Sequence, residues 1–216
     1  MGAIIVAAGS SQRLGTGDKI FSQIKHRPLL SWSGDVCQAC NLVKQIIIVL
    51  NTANLEQGKR LIAERGWSKA STCLGGVRRQ DSVRQGLSRV EDCNWVMVHD
   101  ASRPFITQEI IHNGLDAAQE TGSAVAAIPV TDTIKLTGEG NVVRETPPRN
   151  MLWAAQTPQI FRYDILRQAY DKLATNITDD ATAVEQIGYT VKLYMGSYRN
   201  IKVSTPEDLA LAEVIA

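Results

Sequence analysis

The sequence predicts an α/β fold: one domain built on a mostly parallel sheet, with a β-hairpin inserted in its second half. Three observations carry that expectation. Continuous apolar runs alternate with amphipathic stretches at helical spacing, the pattern of strands covered on both faces by crossover helices. The first run breaks into a small-residue loop suited to receiving phosphate. The chain has 216 residues, 44% hydrophobic and 21% charged, which is enough to bury one substantial core and sits near the upper end for a single domain, 1–216.

The opening run, Ala3-Ile4-Ile5-Val6-Ala7-Ala8, reads as a buried strand. It breaks at Gly9 into Ser10-Ser11-Gln12-Arg13-Leu14-Gly15 and then reaches Lys19. Small residues let backbone N–H groups approach an anion closely, and Arg13 and Lys19 add charge. The loop therefore reads as a nucleoside triphosphate site, with a tightly packed strand–helix junction as the alternative. A Walker loop is excluded because Lys19 precedes Ile20 rather than Ser or Thr. The dinucleotide fingerprint is excluded because Ser10-Ser11 follows Gly9 where a second Gly is needed.

A helix is expected near Pro28–Cys40. Cys37 and Cys40 are three apart and share one of its faces, Cys73 and Cys93 stand singly, and His26, His99 and His112 lie away from ligand spacing. Buried thiols, not a zinc or redox site, are the expectation. Inside this helix Gly34 costs about 1 kcal/mol against Ala, for no reason visible in the sequence. Gln45–Leu50 follows as a strand, then helices at Leu55–Arg65 and Arg79–Val90, the second preceded by the turn Gly75-Gly76.

The strand Trp95–Val98 leads into His99-Asp100-Ala101-Ser102-Arg103-Pro104. Ligands in open α/β sheets bind beyond the carboxyl ends of strands, so Asp100 is placed to hold Mg²⁺ directly or through water, with Arg103 as a second anion contact. The alternative is an Asp that caps a turn. His99 is not read as part of a nucleophilic triad, since no nucleophile elbow is present and adjacent strand residues face opposite ways.

A helix at Thr107–Thr121 and a strand at Ala124–Val130 precede the segment from Thr131 to Asn150, which breaks the alternation. Its Gly-rich turn between two short alternating runs predicts a hairpin, and an apolar side on an isolated hairpin needs a partner. A second subunit is the economical one; a flap over the local site is the other reading. Helices near Tyr163–Lys172, Asp180–Gln186 and Pro206–Val214 complete the chain.

A formal net charge of +1 and a sequence pI of about 7.7 give no global basic field, so nucleic acid and acidic membranes are not expected partners. The N-terminus shows no secretory or myristoylation pattern and no run is long enough to span a bilayer, which points to the cytoplasm.

Four stretches in order, Ala7-Ala8-Gly9-Ser10-Ser11-Gln12-Arg13-Leu14-Gly15 with Lys19, Gly75-Gly76-Val77-Arg78-Arg79-Gln80-Asp81-Ser82, Val98-His99-Asp100-Ala101-Ser102-Arg103-Pro104 and Asn200-Ile201-Lys202-Val203-Ser204-Thr205-Pro206, resemble the 2-C-methyl-D-erythritol 4-phosphate cytidylyltransferases. Pro129–Lys135, Arg149–Trp153 with Thr157-Pro158-Gln159, and Ile177–Asp180 add matches in the same order. The resemblance spans nearly the whole chain. It implies a Rossmann-like sheet of the nucleotide-diphospho-sugar transferase type, a homodimer joined through the 131–150 arm, and, with Mg²⁺, transfer of CMP from CTP to 2-C-methyl-D-erythritol 4-phosphate with release of pyrophosphate, in isoprenoid precursor biosynthesis.

Carried over residue by residue, the resemblance makes Arg13, Lys19 and Lys202 the catalytic cations. Ala7, Ala8, Gly9, Gly76, Arg79, Ser82, Asp100 and Ala101 would bind the nucleotide, with Asp100 also at the metal. Arg103, Thr133, Arg149 and Thr178 would bind the sugar phosphate, the last two from the partner subunit. Val6, Leu14 and Val77 depart from the frequent family residues, and none of the three removes a catalytic cation. A relative acting on another polyol phosphate, such as ribitol 5-phosphate, and a non-catalytic nucleotide-binding paralogue are the competing readings.

Overall fold

The computed structural model describes residues 1–9 and 19–216. In chain order the elements are β1 (Gly2–Ala7), a small ribbon of β2 (Gln23–Ile24) and β3 (Arg27–Pro28), α1 (Leu29–Ala39), β4 (Gln45–Leu50), α2 (Leu55–Arg65), β5 (Ala70–Leu74), α3 (Arg79–Leu87) and β6 (Trp95–Asp100). There follow α4 (Gln108–Thr121), β7 (Ser123–Pro129), the arm strands β8 (Leu136–Thr137) and β9 (Val143–Glu145), β10 (Trp153–Arg162), α5 (Tyr163–Lys172), α6 (Asp180–Gln186), β11 (Lys192–Met195) and α7 (Pro206–Ile215).

Among the described residues, seven strands form one sheet in the order β11-β7-β10-β6-β1-β4-β5. Side chains alternate across it with period two. Ala3 and Ile5 join Ile46, Ile48 and Met97 in one core cluster, while Ile4 joins Ile47, Val49, Val96 and Val98 in the other, where Val83 of α3 and Leu166 of α5 cover it. The expected sheet is present, with one reversal: β10 runs antiparallel to both β6 and β7.

Three strands of the seven-stranded sheet go beyond the sequence reading. β10 carries Gln156, Thr157, Pro158 and Gln159 at its centre, which reads as a loop, and the register shifts between Ala155 and Gln159. Pro is tolerated in strands at such irregularities. The other two, β5 and β11, are the outer strands of the sheet and are partly exposed. The strand at Trp95 also extends past Val98 to include His99 and Asp100.

The unexplained Gly34 has a packing cause. A Cβ built there would lie 2.3 Å from the Trp67 ring, so glycine is what lets that ring close on α1. Its neighbour Asp35 then accepts hydrogen bonds from Trp67 Nε1, Arg65 and Arg27, tying the β2–β3 ribbon and the end of α2 to α1. Cys37 and Cys40 are fully buried, as expected, and burial followed by the neighbouring Cys40 pushes the Cys37 thiol up to about 12.

Candidate functional site

β1 lies between β4 and β6, and the chain winds from β1 to β4 and β5 before returning to the other side of β1 as β6. This is a topological switch point, where the connections at the strands' carboxyl ends diverge and leave a crevice. A cavity of about 280 Å³ opens there.

Five segments line its floor and walls with residues the sequence singled out. Ala7 ends β1 and Ala8 and Gly9 follow it, Asp100 ends β6 beside Val6 in the ladder, and Lys19 stands at the start of the 3-10 turn Lys19–Phe21. Gly76, Arg79 and Ser82 come from the β5–α3 junction, and Lys202 arrives from the segment before α7. Arg13 lies outside the described residues. The cavity also takes in Ile20, Arg78 and Ser102, which the sequence reading did not assign.

The Gly75-Gly76 turn is closed tightly on α3. A Cβ at Gly75 would sit 2.5 Å from the Ala8 Cβ and 2.7 Å from Ser82 Oγ; one at Gly76 would sit 2.4 Å from the Asp81 Cβ. Gly76 N–H donates to Ser82 Oγ at 3.1 Å. Ser82 Oγ also reaches the Gly76 carbonyl at 3.4 Å and the Arg78 carbonyl at 3.3 Å, so the hydroxyl shapes the turn. Val77 is wholly exposed, so the departure at that position disturbs no packing.

Asp100 is the electrostatic centre. Its Oδ1 accepts from Arg79 Nε at 3.0 Å and its Oδ2 from Lys202 Nζ at 2.7 Å. Burial opposes the charge, but Arg79 and Lys202 outweigh it and hold the carboxyl well below the usual carboxylate range. Arg79, expected near the base, is shared between carboxylates: its Nη2 donates to Asp180 at 2.8 Å.

Behind the cavity, His99 is fully buried and faces away from Asp100. Its Nε2 meets the Arg103 carbonyl at 2.9 Å and its Nδ1 meets Thr157 Oγ1 at 3.1 Å, while that oxygen accepts the Asp100 N–H at 3.0 Å. These contacts select the neutral tautomer with its proton on Nε2. Burial lowers the His99 pKa to about 4, and the ring is a strut under the loop carrying Asp100.

Several predicted residues stand elsewhere. Ala101 is fully buried in the core beneath the cavity, its N–H bonded to the Val6 carbonyl. Arg103 lies outside the cavity lining and donates to the Asn200 carbonyl at 2.7 Å. Thr133, Arg149 and Thr178 are exposed. Arg149 closes the arm's base by donating to the Thr131 carbonyl at 2.9 Å. The Thr178 loop is strapped to α3, where Arg78 donates to Asn176 Oδ1 and Gln80 bonds the backbone of Thr175 and Ile177.

The arm itself pairs Leu136 with Glu145 and Thr137 with Val143, leaving Leu136, Val142 and Val143 in the open. Among the described residues no helix is long and apolar enough to cross a membrane.

Comparison with known proteins accounts for the whole chain. A relative from Dehalococcoides mccartyi, a 2-C-methyl-D-erythritol 4-phosphate cytidylyltransferase, is 44% identical over 216 residues, covering 100% of this chain and 95% of its own. One of the same name from Alkaliphilus oremlandii is 42% identical over 219 residues, covering 98% and 93%. The crystal structure of 4-diphosphocytidyl-2C-methyl-D-erythritol synthase from Anaerococcus prevotii superposes with a TM-score of 0.88 at 27% identity, covering 99% of this chain and 96% of that one. The cytidylyltransferase from Thermus thermophilus gives 0.79 at 30% identity, covering 99% and 97%. With the family model matched along residues 1–216, the chain belongs to the 2-C-methyl-D-erythritol 4-phosphate cytidylyltransferase family.

Proposed function

We propose that this protein transfers CMP from CTP to the phosphate of 2-C-methyl-D-erythritol 4-phosphate, releasing pyrophosphate, in isoprenoid precursor biosynthesis. The reading rests on the switch-point cavity, where Lys202 and Arg79 flank the ionised Asp100 and Lys19 lines the same space, in a chain of this family. A phosphate oxygen attacks the α-phosphorus in line, so both reactants are anionic and charge gathers on the α-phosphate and the departing pyrophosphate. Cations, not a base, are what the step requires. Lys19, Lys202 and Arg13 supply them. The attacking phosphate is already ionised, and the only histidine near the cavity among the described residues, His99, is buried behind it.

Asp100 suits Mg²⁺. It is an ionised hard-oxygen donor open to the cavity, each oxygen accepts one hydrogen bond in the contacts above, and a carboxylate has about four lone-pair sites. Among the described residues no group of three His, Cys, Asp or Glu forms a protein cage, which fits an ion shared with substrate phosphates. When bound, the ion neutralises charge on the triphosphate.

The arm's exposed apolar side supports a dimer in which the 131–150 segments clasp across a two-fold axis. Arg103 and Thr133 of one subunit then meet Arg149 and Thr178 of the other around the sugar phosphate. Four unpaired cysteines favour a reducing compartment, the cytoplasm.

Pyrophosphate release tests the whole reading. It is expected from CTP with 2-C-methyl-D-erythritol 4-phosphate, and far less with UTP, because a backbone turn that hydrogen-bonds the cytosine amino group would keep an unpaired partner with uracil. Release only with ribitol 5-phosphate reassigns the acceptor, and no release with either leaves a binding protein.

A further inference from the structure

Arg79, Asp100, Lys202 and Asp180 form a line of alternating charge that starts in the cavity and ends in the core. Lys202 and Arg79 flank Asp100, and Arg79 reaches on to Asp180, which has no exposed surface. Asp180 is not left with one partner. The Tyr170 hydroxyl donates to its Oδ1 while Arg79 occupies its Oδ2. The segment that delivers it is fixed as well: Gln159 donates to Asp179 and accepts the Ala181 N–H, and Thr182 N–H donates to Asp179 to cap α6.

We propose that Asp180, braced by Tyr170, is a positioning residue for nucleotide binding: it aims the Arg79 guanidinium, and through it the Asp100 carboxylate, at the cavity. This rests on the cytidylyltransferase reading for the identity of the nucleotide, and its geometry rests on the contacts alone. A guanidinium presents donors in a rigid fork, so Nε and Nη2 can serve two carboxylates at once only in one orientation. A carboxylate in the core at one tine therefore fixes the other tine, and that second tine holds Asp100. The bury-and-pair arrangement keeps Arg79 charged, since Asp180 and Asp100 together outweigh its desolvation.

The test is a double-mutant cycle read in CTP affinity and in steady-state constants. Asp180→Asn keeps the shape but offers one acceptor where two donors point, and Arg79→Lys keeps the charge but loses the fork. Each is expected to weaken CTP binding, titrated calorimetrically, by about tenfold, with the KM for the polyol phosphate within about twofold. The double variant should be no worse than the poorer single, because both break one unit. Should Asp180→Asn fail to fold, Tyr170→Phe removes only the brace and is expected to weaken CTP binding about threefold.

A loss of thermal stability with unchanged CTP affinity in the folded variants overturns the proposal, as do effects that multiply in the double variant. Unchanged CTP affinity in Tyr170→Phe overturns it when that variant is the one read. A parent enzyme that binds CTP but releases no pyrophosphate with either acceptor refutes the activity instead, and the CTP titrations still decide the role of Asp180.

Discussion

In the cavity, the contacts that set the geometry join residues far apart in the chain: Lys202 to Asp100 across 102 positions and Arg79 to Asp180 across 101. In the arm, they are local. Lys135 donates to Thr146 across 11 positions and Arg149 to Thr131 across 18, while Leu136, Val142 and Val143 stay exposed. Among the described residues one chain thus gathers this side of the cavity, because the sheet holds each strand end in place. The arm has the makings of a two-stranded ribbon and nothing beneath it, a state that is marginal in water until another surface covers it. On the proposed dimer this difference divides the reaction: the nucleotide half would belong to one fold, and the acceptor half would draw on a second copy.

The sharpest way to break this division is at the cavity. Lys19→Ala and Arg13→Ala are each expected to lower turnover about a hundredfold or more, and to weaken CTP binding much less, because a preorganised cation counts most when the α-phosphate becomes pentacoordinate. Single-turnover kinetics beside a CTP titration separate the two. Near-normal turnover in either variant removes that residue from the chemistry.

The arm should respond differently. Arg149→Ala is expected to raise the KM for the polyol phosphate about tenfold, as loss of a charge-assisted contact does, with the KM for CTP unchanged. In a mixed dimer with a Lys19→Ala partner, shared sites put both defects in one site and leave the other intact, retaining about half the activity by symmetry. If activity merely averages the two parents, each site is made by a single chain and the comparison fails.

The smallest effect probes the strut behind the cavity. His99 has a folded-state pKa of about 4, below its unfolded value of about 6.5. Between those values the unfolded chain takes up a proton that the folded one does not, so stability falls as pH drops through this window. The expected His99 contribution is a loss of about 2 kcal/mol between pH 7 and pH 5. Urea unfolding at the two pH values, compared with His99→Gln, checks it; an equal pH dependence in the variant assigns the loss to other groups.

The alternation of apolar runs and amphipathic stretches determined the layers of the fold, because periodicity is a local property that burial on one or both faces imposes residue by residue. It also placed Asp100 at a strand end and Lys19 after a small-residue loop, since both follow from their neighbours in sequence. The antiparallel β10 was not legible: Pro158 and its polar neighbours argue for a loop, and only pairing with β6 and β7 makes a strand of them. Gly34 carried no meaning until Trp67, distant in sequence, came to rest on it. Tertiary structure alone decided that Arg79 bridges Asp100 to Asp180, that Ser82 turns to its own loop, and that Ala101 faces the core. Those choices depend on which atoms meet across long loops, and local pattern does not encode a meeting between residues a hundred positions apart.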